Sequence, residues 1–194
     1  MKYFLLIILM LVTVLVFAQN EPVVNFNIGN IGLGGNFPLR NDFNLETSLS
    51  LANFGFEGRQ TNLGIEFSPL MLFGWSNDSE ESAEMNDVSL LNLKMYWNAL
   101  TLGDSFLGNF YMGPFASVNY FFVDDLVRWN RYILTTGIHL GFKANLGRVY
   151  YNIISFEMGF RDITGTHRYF IGMRMDIGAL ILLVLFSNLS NNTE

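Results

Sequence analysis

The chain has 194 residues, no cysteine, 51% hydrophobic but only 14% charged residues, and a net charge of −6. That length suits one domain, the absent thiols exclude a disulfide framework, a thiolate metal site and a lipid-modified N-terminal cysteine, and the acidic balance offers no basic face for nucleic acid. A soluble domain carries about 25% charged residues, yet past Asn20 no run reaches the roughly 18 apolar residues of a spanning helix, which leaves a very large core or strands that face lipid.

The N-terminus combines Lys2 with an apolar run from Phe4 to Ala18, closing Val16-Phe17-Ala18 before Gln19. One positive charge, an apolar stretch and a small residue at the break describe a secretory signal peptide, 1-18. A retained anchor is the competing reading, but the run is short of the ~20 residues a span requires and no polybasic flank follows. The mature domain, 19-194, is then expected in the periplasm, the outer membrane or the medium.

Beyond it the chain alternates with a period of two. Val24, Phe26 and Ile28 oppose Asn25, Asn27 and Gly29; Phe43, Leu45, Leu49 and Leu51 oppose Asn44, Glu46, Ser48 and Ser50; Leu63, Ile65, Phe67, Pro69 and Met71 oppose Asn62, Gly64, Glu66 and Ser68. Leu91, Leu93, Met95 and Trp97 oppose Asn92, Lys94, Tyr96 and Asn98, and Phe110 to Tyr120 oppose Asn109 to Asn119 in the same way. Ile138, Leu140, Phe142 and Ala144 oppose His139, Gly141 and Lys143; Ile154, Phe156, Met158 and Phe160 oppose Ser155, Glu157 and Arg161; Tyr169 to Ala179 oppose Gly172, Arg174, Asp176 and Gly178. Such alternation marks half-buried strands, and eight of them predict an all-β fold, an antiparallel up-and-down transmembrane β-barrel of about eight strands.

Short links are expected at Gly55 to Gln60, Ala99 to Ser105 and Leu146 to Arg148. Longer ones are expected at Asn30 to Asp42, Gly74 to Asp87 and Phe122 to Arg131, with a shorter fourth at Asp162 to Thr166. Outer-membrane barrels show that asymmetry, with the short side periplasmic.

Charge placement separates a membrane barrel from a soluble one. The apolar faces carry no charge, whereas the opposite faces carry Glu46, Glu66, Glu157 and Asp176 against Lys94, Lys143, Arg161 and Arg174. A Lys or Arg facing lipid near the midplane costs roughly 2–4 kcal/mol, which accounts for the exclusion. The polar faces are rich in Gly, Ser and Asn, which suit the crowded inside of a narrow barrel, so these charges and His139 are expected to form an interior network. A turn centred near Gly147 sets His139 opposite Ser155, and one near Gly165 makes Glu157 a diagonal partner of Arg174. Trp75, Tyr120, Trp129, Tyr132 and Tyr169 near the long-loop side, with Trp97 and Tyr150 near the short-turn side, are candidates for interface girdles.

This pattern resembles, across nearly the whole mature chain, the small outer-membrane barrels of the OmpA/OmpX/OmpW type, in architecture and without a matched motif. The resemblance implies an outer-membrane location, lipid and the barrel assembly machinery as partners, and extracellular partners for the long loops. It also implies roles as anchors, adhesins, narrow channels or, less often, lipid-modifying enzymes. The chain departs from it after the last strand. The usual C-terminal aromatic is missing, Leu180 to Phe186 is apolar on both faces, and Ser187 to Glu194 follow.

No cofactor or metal is expected. His139, Ser155 and Glu157 are the one grouping with hydrolase-like residue types, but all three fall on the polar face and a buried polar network is the favoured reading. The acidic run Asp78, Glu80, Glu81, Glu84 and Asp87 lacks Ca²⁺-loop spacing, and Ile31-Gly32-Leu33-Gly34-Gly35 precedes no helix pattern, as a phosphate loop would. The expected function is a non-enzymatic integral barrel with a structural or surface-interaction role. A narrow solute channel is the alternative, ahead of a periplasmic lipocalin-like binder with its faces inverted and a barrel lipid hydrolase.

Overall fold

The computed structural model describes residues 22–38, 44–77, 86–103, 109–122, 131–146, 149–163, 166–181 and 184–185. The expected signal peptide, Trp129 and the acidic residues Asp78, Glu80, Glu81 and Glu84 lie outside these residues. The described residues form β1 (Pro22–Pro38), β2 (Asn44–Gly58), β3 (Leu63–Ser68), β4 (Met71–Asn77), β5 (Asn86–Trp97), β6 (Leu100–Leu102), β7 (Asn109–Phe122), β8 (Arg131–Leu146), β9 (Val149–Ile163) and β10 (Thr166–Asp176). β3 and β4 continue each other across Pro69 and Leu70, both lying between β2 and β5, and β6 is a short strip on β7. The result is an eight-strand antiparallel barrel, closed where β10 pairs with β1.

The ladder gives the tilt. From Asn25 it passes through Gly55, Glu66, Lys94, Ser117, Thr135, Arg161 and Arg168 and re-enters β1 at Pro38, thirteen residues further on. That stagger is ~43 Å of strand, set against a wall of eight strand spacings, ~38 Å. The strands are therefore inclined by roughly 45–50°, and long strands are needed to give modest height.

The side-chain phase is not constant along the strands. In β1, Asn25 and Asn27 point inward below Gly29, and Asn30 and Asn36 point inward above it. Gly29 itself takes φ 74, a conformation that favours a residue without Cβ. β2 changes phase between Ser50 and Asn53, and the β3–β4 stave between Ser68 and Met71. Register shifts insert one residue in β5, between Ser89 and Leu91, and one in β9, Ile153, opposite the Phe142/Lys143 step of β8. One inserted residue turns every later side chain to the other face. Met71, expected outside, is for this reason buried inside with Phe73 and Ile133.

The strands also run further than their alternation suggests. Asn30 to Pro38, expected as a link, belongs to β1, and β2 continues through Gly55 to Gly58. Links shrink accordingly, and the connection from β5 to β7, expected as a short turn, contains the strip β6. The last strand stops at Asp176 short of Ala179, and residues 177–181 and 184–185 are helical.

Candidate functional site: the charged lumen

Burial separates the two faces sharply. Val24, Ile28, Ile31, Leu33 and Phe37 of β1, Leu51, Phe54 and Phe56 of β2, Ile138 and Phe142 of β8, and Phe156, Met158 and Phe160 of β9 are all exposed. Inside lie Asn25, Asn27, Asn53, Asn92, Asn119, Ser117 and Thr135 together with the ionisable groups. A lipocalin-like calyx needs the opposite arrangement, an apolar lumen under a polar exterior, and the described residues do not have it.

Ion pairs cross the lumen between staves that are not neighbours. Lys94 Nζ of β5 is 2.7 Å from Glu157 Oε1 of β9, and Arg174 Nη2 of β10 is 3.5 Å from Glu157 Oε2. Arg161 of β9 pairs with Glu46 of β2, donates from Nε to Thr135 Oγ1 at 3.1 Å and from Nη1 to Asn36 Oδ1 at 3.2 Å, and stacks 3.5 Å above the Phe170 ring. Phe170 lies flat because Gly34 and Gly172 flank it; a Cβ on either would sit 2.6 or 2.3 Å from the ring. Asn53 Nδ2 donates to Glu66 Oε1 at 3.0 Å. All nine residues of the expected network are enclosed by the wall, but their contacts differ from the expectation at two of them.

Asp176 is buried yet joins no described ion pair; its Oδ1 accepts from the Ala179 N–H at 2.8 Å and caps the helical segment that follows. His139 stands opposite Glu157, not Ser155, because Leu146 pairs with Val149, one residue off the expected register, and Ile153 is inserted in β9 between the partners of Lys143 and Phe142, which adds the second. Its ring is packed among Tyr96, Tyr111 and Phe115 at 5.2–5.8 Å, and neither nitrogen has a hydrogen-bond partner among the described residues. Ser155 instead bonds Tyr111. A nucleophile–base bond between Ser155 and His139 is thus absent from the described contacts.

Sequence alternation misses one acid. Glu57, placed in an expected link, is buried at the far end of β2, 2.6 Å from Lys143 Nζ, and accepts from Asn98 Nδ2 at 2.9 Å and Tyr96 OH at 3.3 Å. Continuing the alternation across the phase change at Ala52 would have found it. With Glu57 added, five carboxylates are buried among the described residues, one more than the alternation places on the polar faces.

The aromatic residues divide. Trp97, Tyr132 and Tyr169 are exposed on the wall, and Tyr120 is half-buried. Tyr150 turns inward, hydrogen-bonds Tyr96 and covers Lys143 at 4.9 Å, so it belongs to the lumen and to no girdle. Trp75 lies on β4 opposite Glu46. Two polar hollows beside Arg174 each leave room for about one ordered water. Among the described residues no group of His, Asp and Glu is arranged to hold a metal, and no helix is long and apolar enough to cross a membrane.

The fold and lumen together define a class, the small closed antiparallel barrel with an apolar exterior and an ionic interior. No family model, curated protein or solved structure matches the chain.

Proposed function

We propose that the chain is an integral outer-membrane β-barrel with a structural or surface-interaction role, exported by its N-terminal signal and not enzymatic. The observation that carries this reading is the inversion of faces, with exposed aliphatic and aromatic side chains around the wall and ion pairs within. The dimensions support it. From Val24 to Phe37 the apolar face of β1 covers thirteen residue steps, ~43 Å of strand, which the tilt reduces to ~30 Å of height, the thickness of a bilayer's hydrocarbon core. An exposed apolar surface of this extent on a soluble monomer would drive association. The resemblance to small outer-membrane barrels supplies the membrane and the assembly machinery as partners.

The packed lumen argues for a plug and against an open pore, because ion pairs and aromatic rings occupy the interior an eight-stranded barrel offers. The reading is tested by fractionating cells that express the full chain. Recovery in the outer membrane, with a folded form that migrates differently on gels before and after heating, is expected. Native protein that stays soluble without detergent overturns it.

A further inference from the structure

β10 leaves the wall early. Its last partners are Ile154 of β9, opposite Met175, and Asn30 of β1, opposite Asp176. Below that level β1 still has Pro22 to Gly29 to run, and β1 and β9 meet directly in a short parallel contact, Val24 with Val149 and Asn25 with Tyr150. The chain turns helical where it departs, and its first residues lie on β1. A Cβ at Gly178 would stand 3.4 Å from Ile28 Cβ, and one at Gly29 3.7 Å from Ile177 Cβ.

The exposed side of this helical segment is apolar. Ala179 is buried against the barrel, whereas Ile177, Ile181, Val184 and Leu185 are 37%, 56%, 59% and 54% exposed. Those positions follow the i, i+4, i+7, i+8 spacing of a single helical stripe. A helix on a soluble domain turns such a stripe into the core and shows water its polar side; this one shows isoleucine, valine and leucine. Its N-terminus has the complementary property, since the buried Asp176 carboxylate takes up a helix N–H from within the chain. Internal satisfaction is obligatory for backbone groups surrounded by hydrocarbon.

We propose that the helical residues 177–181 and 184–185 are embedded in lipid, lying in the membrane leaflet at the N-terminal end of β1 and covering the β1–β9 seam on the outer wall. The inference rests on the membrane reading above. Its occupant is lipid acyl chain, because the helical residues leave the wall beside Ile28, itself exposed on the apolar exterior, and Leu180 to Phe186 carries no polar side chain to present to an aqueous partner. At 1.5 Å per residue the helical residues 177–181 cover ~7 Å, which fits within one leaflet of a ~30 Å core.

The chain has no cysteine, so a single one can carry an environment-sensitive fluorophore. The full chain, refolded into phosphatidylcholine vesicles, would carry the label at Ile138→Cys on the wall, or at Ile181→Cys or Val184→Cys on the helix. Doxyl-labelled lipid is expected to reduce emission at least twofold at all three, with aqueous iodide ineffective. Quenching by lipid at Ile138 but by iodide at Ile181 and Val184 overturns the helix proposal while the barrel stays in the membrane. Shielding of the helix labels from both quenchers, with disulfide crosslinking between copies of the same variants left unlabelled, means that a second copy covers the stripe and also overturns it. Iodide access at Ile138 itself defeats the membrane reading.

Discussion

Glu157 is the acid on which the lumen's ties converge, which makes Glu157→Gln the most informative single change. The substitution keeps the shape and removes the charge that faces both Lys94 at 2.7 Å and Arg174 at 3.5 Å. The Glu157 and Lys94 side chains are 2% and 5% exposed, and that of Arg174 17%, so water can do little to replace the lost partner. Removing one member of a buried pair costs about 3–5 kcal/mol, most of it the penalty of the charge left behind. With an m value of ~2 kcal/mol per molar urea, the midpoint should fall by about 1.5–2.5 M in unfolding followed by tryptophan fluorescence in vesicles. Arg59→Gln is the internal control. Arg59 is exposed in the turn after β2, so at most about 1 kcal/mol is expected. Equal, small shifts for the two variants would refute the buried lumen, because they would mean that water reaches Lys94 and Arg174.

Three further outcomes follow from particular contacts. Gly172→Val drives a side chain into the Phe170 ring and should destabilise by about 1–3 kcal/mol; Phe170→Ala in the same chain should recover part of that loss, a coupling readable from a urea double-mutant cycle. Asp176→Ala removes the cap from the helical segment and should cost about 0.5–2 kcal/mol, with earlier proteolysis after residue 176 as its local signature. Met158→Arg places a cation on the outward face and should cost roughly 2–4 kcal/mol in lipid if the site lies near the midplane; the same change leaves a water-exposed wall almost unaffected.

The barrel is legible in the sequence where the phase of a strand is unbroken. On β7, Asn109 to Tyr120 alternates without interruption and every described side chain faces as the alternation predicts. The diagonal placement of Glu157 and Arg174 follows the same way, since β9 and β10 pair in constant register on either side of their turn. What alternation cannot show is where the phase changes. Glu57, Met71 and Tyr150 all lie beyond an inserted residue, and each is found on the face opposite to, or outside, the segment assigned from its neighbours. The insertion of Ile153 in β9, added to a turn pairing one residue off the expected register, likewise sets Glu157 and not Ser155 opposite His139. These insertions leave little trace in composition, because Ala52 and Leu70 are ordinary strand residues; only Gly29, by its φ, and Pro69 hint at them. Asp176 illustrates a different loss. A period of two assigns it to the lumen, and the cap it forms depends on a helix that the apolar run after it does not distinguish from a strand.

Accessibility along β9 tests the central claim most directly. Nitroxide labels placed one at a time from Ser155 to Met158, on the full chain in membranes, can be read against oxygen, which partitions into hydrocarbon, and against a polar nickel chelate. The account predicts a period of two, with Phe156 and Met158 relaxed strongly by oxygen and hardly by nickel, and Ser155 and Glu157 relaxed weakly by either. Strong nickel relaxation at Phe156 and Met158 would place the apolar wall in water and contradict it.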